Sequence, residues 1–145
     1  MTDTYKQLSF WHDSVPGSLA PRPSLQSDQQ VDVAIVGAGY TGLWTAYYLR
    51  KHQPDLRIVL VEAEIAGYGA SGRNGGWASG FLSGIERWID QPDHRDGAIR
   101  LQKHMFETVR QIGETAERES IDCHFEKSGA LEIAVNRAHL SNLRE

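Results

Sequence analysis

Residues 33–63 read "VAIVGAGYTGLWTAYYLRKHQPDLRIVLVEA". An apolar, β-branched run leads into a glycine turn, a helical pattern follows, and a second apolar run closes on an acid. Residues 31–36, "VDVAIV", have the look of a strand buried on both faces of a parallel sheet. Leu43, Ala46, Tyr47 and Arg50 fall at helical spacing, so a helix is expected to about His52. "HQPD" ends it, because proline disfavours helix at the residue before it. "RIVLVE", residues 57–62, is the second strand. Strand, helix, strand predicts parallel pairing through a right-handed crossover.

Gly37-Ala38-Gly39-Tyr40-Thr41-Gly42 fits G-x-G-x-x-G in the context that gives this motif meaning, directly after a strand and opening a helix. The first glycine permits a tight turn and the second lets a pyrophosphate approach the backbone. The third lets helix and strand pack closely. Phosphates placed there meet backbone N–H groups and the positive end of the helix dipole. Glu62, 20 residues beyond Gly42, stands where a carboxylate accepts hydrogen bonds from ribose hydroxyls. Glu64 takes that place only if the strand runs two residues further. A carboxylate here repels a ribose 2′-phosphate, which disfavours NADP and leaves FAD and NAD.

The segment 67–76, "GYGASGRNGG", holds five of the chain's 14 glycines. Successive backbone N–H groups in such a loop form an anion-binding nest, and Arg73 adds a charge able to fork onto a phosphate. An NAD domain has little use for a second loop of this kind, whereas the longer FAD does.

Together, "VDVAIVGAGYTGLWTAYYLRK" (31–51), "VLVEAEIAGYGASGRNGG" (59–76) and "SIDCHFEKSGALEIAV" (120–135) resemble the N-terminal part of the D-amino-acid-oxidase-like FAD-dependent oxidoreductases, in particular the γ-glutamylputrescine oxidoreductase type. The likeness runs from about residue 8 to residue 145. It implies that Gly37, Gly39 and Gly42 face the FAD pyrophosphate, with Tyr40 and Thr41 in the same cofactor-binding turn, and that Glu62 meets the adenosine ribose. It also implies that Ser71, Gly72, Arg73, Asn74 and Gly75 run beside the pyrophosphate, ribityl chain and flavin. The reaction implied is oxidation of an amine or amino acid C–N bond, with a γ-glutamylated polyamine as one substrate. Trp77 stands where relatives often carry a polar residue, and its expected role is buried packing.

The implied fold class is α/β: a Rossmann-like βαβ unit followed by the start of an antiparallel substrate-domain sheet, the whole an incomplete domain. Residues 1–30 read as an irregular leader, with Trp11 available to pin it by burying a large ring. Residues 31–120 form the N-terminal part of the FAD-binding domain, including a long helix from about Asp93 to Ser120. Its apolar stripe is Ala98, Leu101, Met105, Val109, Ile112 and Ala116. Residues 121–145 open the substrate domain with two short strands turning at Lys127-Ser128-Gly129, then a helix capped by Asn136. The family's enzymes are several times longer, so most of the substrate site is expected to lie outside this chain and no catalytic residue is assigned.

Bulk properties fit a globular protein, with 40% hydrophobic and 23% charged residues. A formal charge of -4 argues against non-specific nucleic-acid binding. No apolar run approaches the ~20 residues that span a bilayer. The N-terminus lacks the pattern of a secretory signal, and a lone Cys123 excludes an internal disulfide, so cytoplasmic residence is the expectation. Cys123 is expected to be buried or half-buried. The six histidines show no metal-ligand spacing. Two other readings stand beside the flavoprotein: an NAD-linked Rossmann dehydrogenase, which leaves "GYGASGRNGG" unexplained, and a non-catalytic truncation product.

Overall fold

The computed structural model describes residues 4–129, 131 and 133–142. The chain divides into two compact units, Met1–Trp77 and Ala78–Glu145.

In the first unit β1 (Val33–Val36) and β2 (Ile58–Val61) pair in parallel, with Val33 opposite Ile58 and Val36 opposite Val61. The connecting helix is α2 (Tyr40–His52). Register is set at the start of both strands. The Arg57 guanidinium forks onto Asp32, with Nη2 2.8 Å from Oδ1 and Nε 3.1 Å from Oδ2. The Arg57 amide also donates to Asp32 Oδ2, and its carbonyl accepts from the Asp32 amide at 3.0 Å. Side chain and backbone thus fix one alignment, and a slip by one residue would break both. The helix ends as its sequence demands: Arg50, Lys51 and His52 lie in its last turn, where the dipole favours positive charge. Arg50 also donates to the carbonyls of Pro54 and Leu56, tying the helix end to the approach of β2.

One expectation for this sheet is corrected. β1 is apolar on both faces but covered on one: Val33 and Ile35 are half-buried, while Val36 is 87% exposed. Alternate side chains point to opposite faces, and α2 lies on the Ile35 side, where Ile35 Cγ2 would be 3.3 Å from a Cβ at Gly42. The leader also differs from a wholly irregular segment. It holds a 3-10 turn (Thr4–Gln7) and a short helix, α1 (Phe10–Ser14), capped by Ser9, whose hydroxyl accepts the His12 amide.

In the second unit α3 (Glu86–Ile89) precedes α4 (Pro92–Arg118), whose Pro92 at the first position presets the helical dihedral without wasting a donor. Its stripe is on the covered side at Ala98, Met105, Val109, Ile112 and Ala116, while Leu101 is exposed. The Gln102 side chain donates to the Gly80 carbonyl at 2.6 Å and accepts from the Leu82 amide at 3.3 Å, which seats the segment before α3 on α4. Phe81 meets Phe106 edge-on. Arg110 pairs with Glu107 and Glu114 along the solvent face. The helix ends at Arg118; just beyond its cap, Glu119, Ser120 adopts a φ of 54°, and the Ile121 amide returns to the Ala116 carbonyl at 2.8 Å. Asn136 caps α5 (Arg137–Asn142), its Oδ1 accepting the His139 amide at 2.9 Å.

The two short strands expected over 123–135 are not formed among the described residues; Ala130 and Glu132, within the second of them, lie outside those residues. Phe125 packs against Gly113 instead, and Leu131, Ile133 and Val135 are exposed. The sheet present is the parallel β1–β2 pair, so the expected antiparallel sheet is corrected. Alternation predicts which face of a strand would be buried, but a strand also needs a paired edge for its backbone groups. Cys123, expected to be covered, is exposed for the same reason. Among the described residues no helix is long and apolar enough to cross a membrane, and no group of three or more His, Cys, Asp or Glu could hold a metal ion.

Two stability outcomes follow from these contacts. Arg57 holds the Asp32 carboxyl down at about 2, below the ordinary 3.8, chiefly through the side-chain hydrogen bond. A depressed carboxylate stabilises the fold above its unfolded pKa and loses that contribution as pH falls towards the folded one. Urea midpoints of the wild type and Asp32→Asn should therefore differ at pH 5 and converge between about pH 4 and pH 2. Gly97→Ala should raise stability by about 0.5–1 kcal/mol in the same assay, since Gly97 is exposed inside α4 and an added Cβ has only the Arg100 guanidinium, 4.0 Å away.

Candidate functional site

The site is built on the turn between β1 and α2. Gly37 continues the sheet, its amide donating to the Val61 carbonyl at 2.8 Å, and then turns the chain with a φ of 99°. That value lies in the left-handed region, where a side chain is strained. Gly42 allows the helix to rest on the turn: a Cβ there would lie 2.0 Å from the Gly37 carbonyl oxygen. At Gly39 an added Cβ would meet Ser71 Oγ at 2.9 Å. The three motif glycines therefore serve three different purposes: a turn, a close approach to the second glycine loop, and helix-on-turn packing.

Oxygen atoms from two later segments converge on this turn. The Ala38 amide donates to Glu62 Oε2 at 2.8 Å, and the Tyr40 amide donates to Ser71 Oγ at 2.9 Å. The Tyr40 amide is the first of α2, where backbone donors lack intrahelical acceptors, and the Ala38 amide lies in the turn just before it. β2 ends at Val61, so Glu62 rather than Glu64 follows the strand directly. Glu62 Oε1 also accepts the Glu64 amide at 3.2 Å. The Ala38 amide first, then that of Glu64, hold the Glu62 carboxyl below its usual range, so it is ionised and accepts only. Glu64 is engaged elsewhere, by the Tyr5 hydroxyl at 2.7 Å.

The segment 67–76 folds over the turn. Its Gly67 amide donates to the Ala38 carbonyl at 2.9 Å. Asn74 Nδ2 donates to the Ser71 carbonyl at 2.7 Å and to the Tyr40 hydroxyl at 3.3 Å, while Asn74 Oδ1 accepts the Gly76 amide at 2.7 Å. Ser71 and Asn74 thus reach Tyr40. Gly72 sits against His12 and the Gly67 carbonyl, and Gly75 has open space where a Cβ would be. Thr41 is exposed in the first turn of α2. Arg73 is directed within its own loop: Nε donates to the Tyr68 carbonyl at 2.8 Å, and the guanidinium lies over the Tyr68 ring at 4.8 Å. The structure brings Gly37, Gly39, Tyr40, Gly42, Glu62, Ser71 and Asn74 together and directs Arg73 to Tyr68. Trp77, expected as buried packing, is 91% exposed.

Sequence reasoning missed the leader's share in this loop. Ser9 and His12 lie against Gly72, and Trp11 Nε1 donates to the Asn74 carbonyl at 2.7 Å. Trp11, an aromatic in a polar stretch, was the one local signal; Ser9 and His12 carried none.

The family of FAD dependent oxidoreductases matches residues 32–145. The chain belongs to that family. It is 36% identical over 140 residues to γ-glutamylputrescine oxidoreductase of Escherichia coli strain K12, covering 97% of this chain and 32% of the relative. It is 36% identical over 124 residues to the probable oxidoreductase OrdL of Haemophilus influenzae, covering 85% of this chain and 28% of that one. Thiamine thiazole synthase of Eremothecium gossypii is 51% identical over 51 residues, 35% of this chain and 14% of that protein. The chain spans about a third of the length of the curated relatives it matches along most of its own length. No solved structure gives a significant match. The cofactor of the family is FAD.

The close approach at Gly42 sets a testable cost. Gly42→Ala should lower unfolding free energy by about 1–3 kcal/mol or more, because the new methyl overlaps the rigid Gly37 carbonyl rather than a flexible side chain. Equilibrium denaturation with far-UV detection measures it.

Proposed function

We propose that this chain is the FAD-binding N-terminal portion of a flavin-dependent oxidoreductase acting on the C–N bond of an amine or amino acid, with a γ-glutamylated polyamine as the substrate class. The observation that carries this reading is the convergence of Glu62 and Ser71 on backbone amides of the glycine turn, Ala38 just before α2 and Tyr40 at its start. Family membership and the name of the Escherichia coli relative support it.

The residues present fit the cofactor. Gly39, without a side chain, leaves the turn approachable by a pyrophosphate, and the helix dipole favours that charge. Ser71 accepts from the Tyr40 amide, which leaves its own hydrogen to donate to a phosphate oxygen. Glu62 Oε2 accepts the Ala38 amide and Oε1 the Glu64 amide, and a carboxylate, with about four lone-pair sites, keeps acceptor capacity for a ribose hydroxyl. The negative charge of Glu62 repels a 2′-phosphate. Asn74 holds the second loop on Tyr40 so that its backbone can follow the cofactor. FAD, when bound, supplies the acceptor for the hydride that leaves the carbon of the C–N bond. Residues 31–120 are assigned to the FAD-binding domain and 121–145 to the beginning of the substrate side. No substrate contact is assigned to this chain, and turnover by it alone is not expected.

Mixing the purified chain with FAD, desalting and recording the visible spectrum tests the reading. A flavin band should survive desalting. Glu62→Gln should weaken retention about tenfold or more, the scale of a hydrogen bond to a charged acceptor. A folded chain that keeps no flavin would sink the proposal.

A further inference from the structure

We propose that the leader is a positioning element for the second glycine loop, with Ser9 as the positioning residue that fixes the loop in the conformation FAD takes up; this rests on the proposed role of the loop.

The Ser9 hydroxyl has a fully specified bonding pattern. Its oxygen lies 2.6 Å from the Gly72 carbonyl oxygen, 2.7 Å from His12 Nδ1 and 3.3 Å from the His12 amide. A carbonyl only accepts, so the single hydroxyl hydrogen goes to Gly72. The His12 amide and His12 Nδ1–H must then both donate to the oxygen. One side chain therefore caps α1, sets the His12 ring and grips the loop backbone 63 residues away.

The ring so held closes on the same residue. His12 is 5% exposed, and a Cβ at Gly72 would lie 2.6 Å from its Cε1 and 2.2 Å from the Gly67 carbonyl oxygen. Gly72 is thus flanked by an imidazole and a backbone carbonyl, and only glycine fits. Two further contacts flank this one. Trp11 donates to the Asn74 carbonyl and lays its ring on Gly76, where a Cβ would be 2.4 Å from Cζ2. Tyr5 donates to Glu64 and meets the Tyr68 ring edge-on at 6.3 Å. These leader contacts fall between residues 64 and 76, on the loop and its approach. From its other side the loop reaches the glycine turn through Ser71, Asn74 and Gly67. A five-residue helix such as α1 has no stability of its own, so leader and loop order one another.

The experiment compares wild type, Ser9→Ala and Ser9→Thr by amide hydrogen exchange of the full chain without ligand, followed by FAD titration monitored by flavin fluorescence. Ser9→Ala should speed exchange across residues 67–76 about tenfold and leave the amides of β1 and β2 unchanged. It should weaken FAD binding by a similar factor, and Ser9→Thr should restore both. Unchanged exchange in 67–76, or exchange rising equally in β1 and β2, overturns the proposal, because the leader would then be inert or a general prop. If Ser9→Ala fails to fold, Trp11→Phe decides: it keeps a ring on Gly76 and removes only the indole N–H. Faster exchange confined to 72–76 supports the proposal and its absence overturns it. A loop that loosens in Ser9→Ala, in a chain whose wild type takes up no FAD, sinks the proposed function and leaves the positioning role standing.

Discussion

The distance that everything else in the first unit depends on is the gap between α2 and the turn that precedes it. Because residue 42 is glycine, the helix can lie on the Gly37 carbonyl. That contact sets where α2 starts, so that the Tyr40 amide and the Ala38 amide of the turn before it meet Ser71 and Glu62. A methyl group at position 42 would tilt the helix, and the donors would no longer converge. Packing here is a condition of the site's electrostatics.

Electrostatics in turn are used sparingly. The Arg57–Asp32 and Arg110–Glu107 pairs are solvent-exposed, and exposed pairs contribute little on their own. Their value is alignment, of two strands in one case and of successive helical turns in the other. Glu62 differs in kind: its charge is stabilised mainly by backbone N–H groups. A carboxylate fixed in this way is oriented before it has anything to bind.

Much of this was legible in the sequence because it is local. The glycine spacing, the acid after β2, the long stripe of α4 and the Asn136 cap each depend on residues within a few turns of one another. β1 and β2 are each two residues shorter than the apolar runs suggested: pairing starts only after Asp32 and Arg57 have met, and β2 stops at Val61 before Glu62 turns to the Ala38 amide. The errors share one cause. Val36, Trp77 and Cys123 were read as covered from their chemistry, but cover is a property of neighbours. The grip of Ser9 on Gly72 was invisible for a related reason: serine forms such bonds in many settings, and nothing near position 9 names a partner 63 residues on.

The sheet also has two ends with separate duties. Asp32 and Arg57 close the end where both strands begin; the glycine turn and Glu62 occupy the end where both finish. Four paired residues separate them, about 13 Å at the rise of a β-strand. Substitutions that far apart without shared partners act additively. The clamp can therefore be strengthened or weakened to suit temperature or acidity without disturbing the glycine-turn end, so that robustness and the geometry of the turn can drift independently in one small sheet.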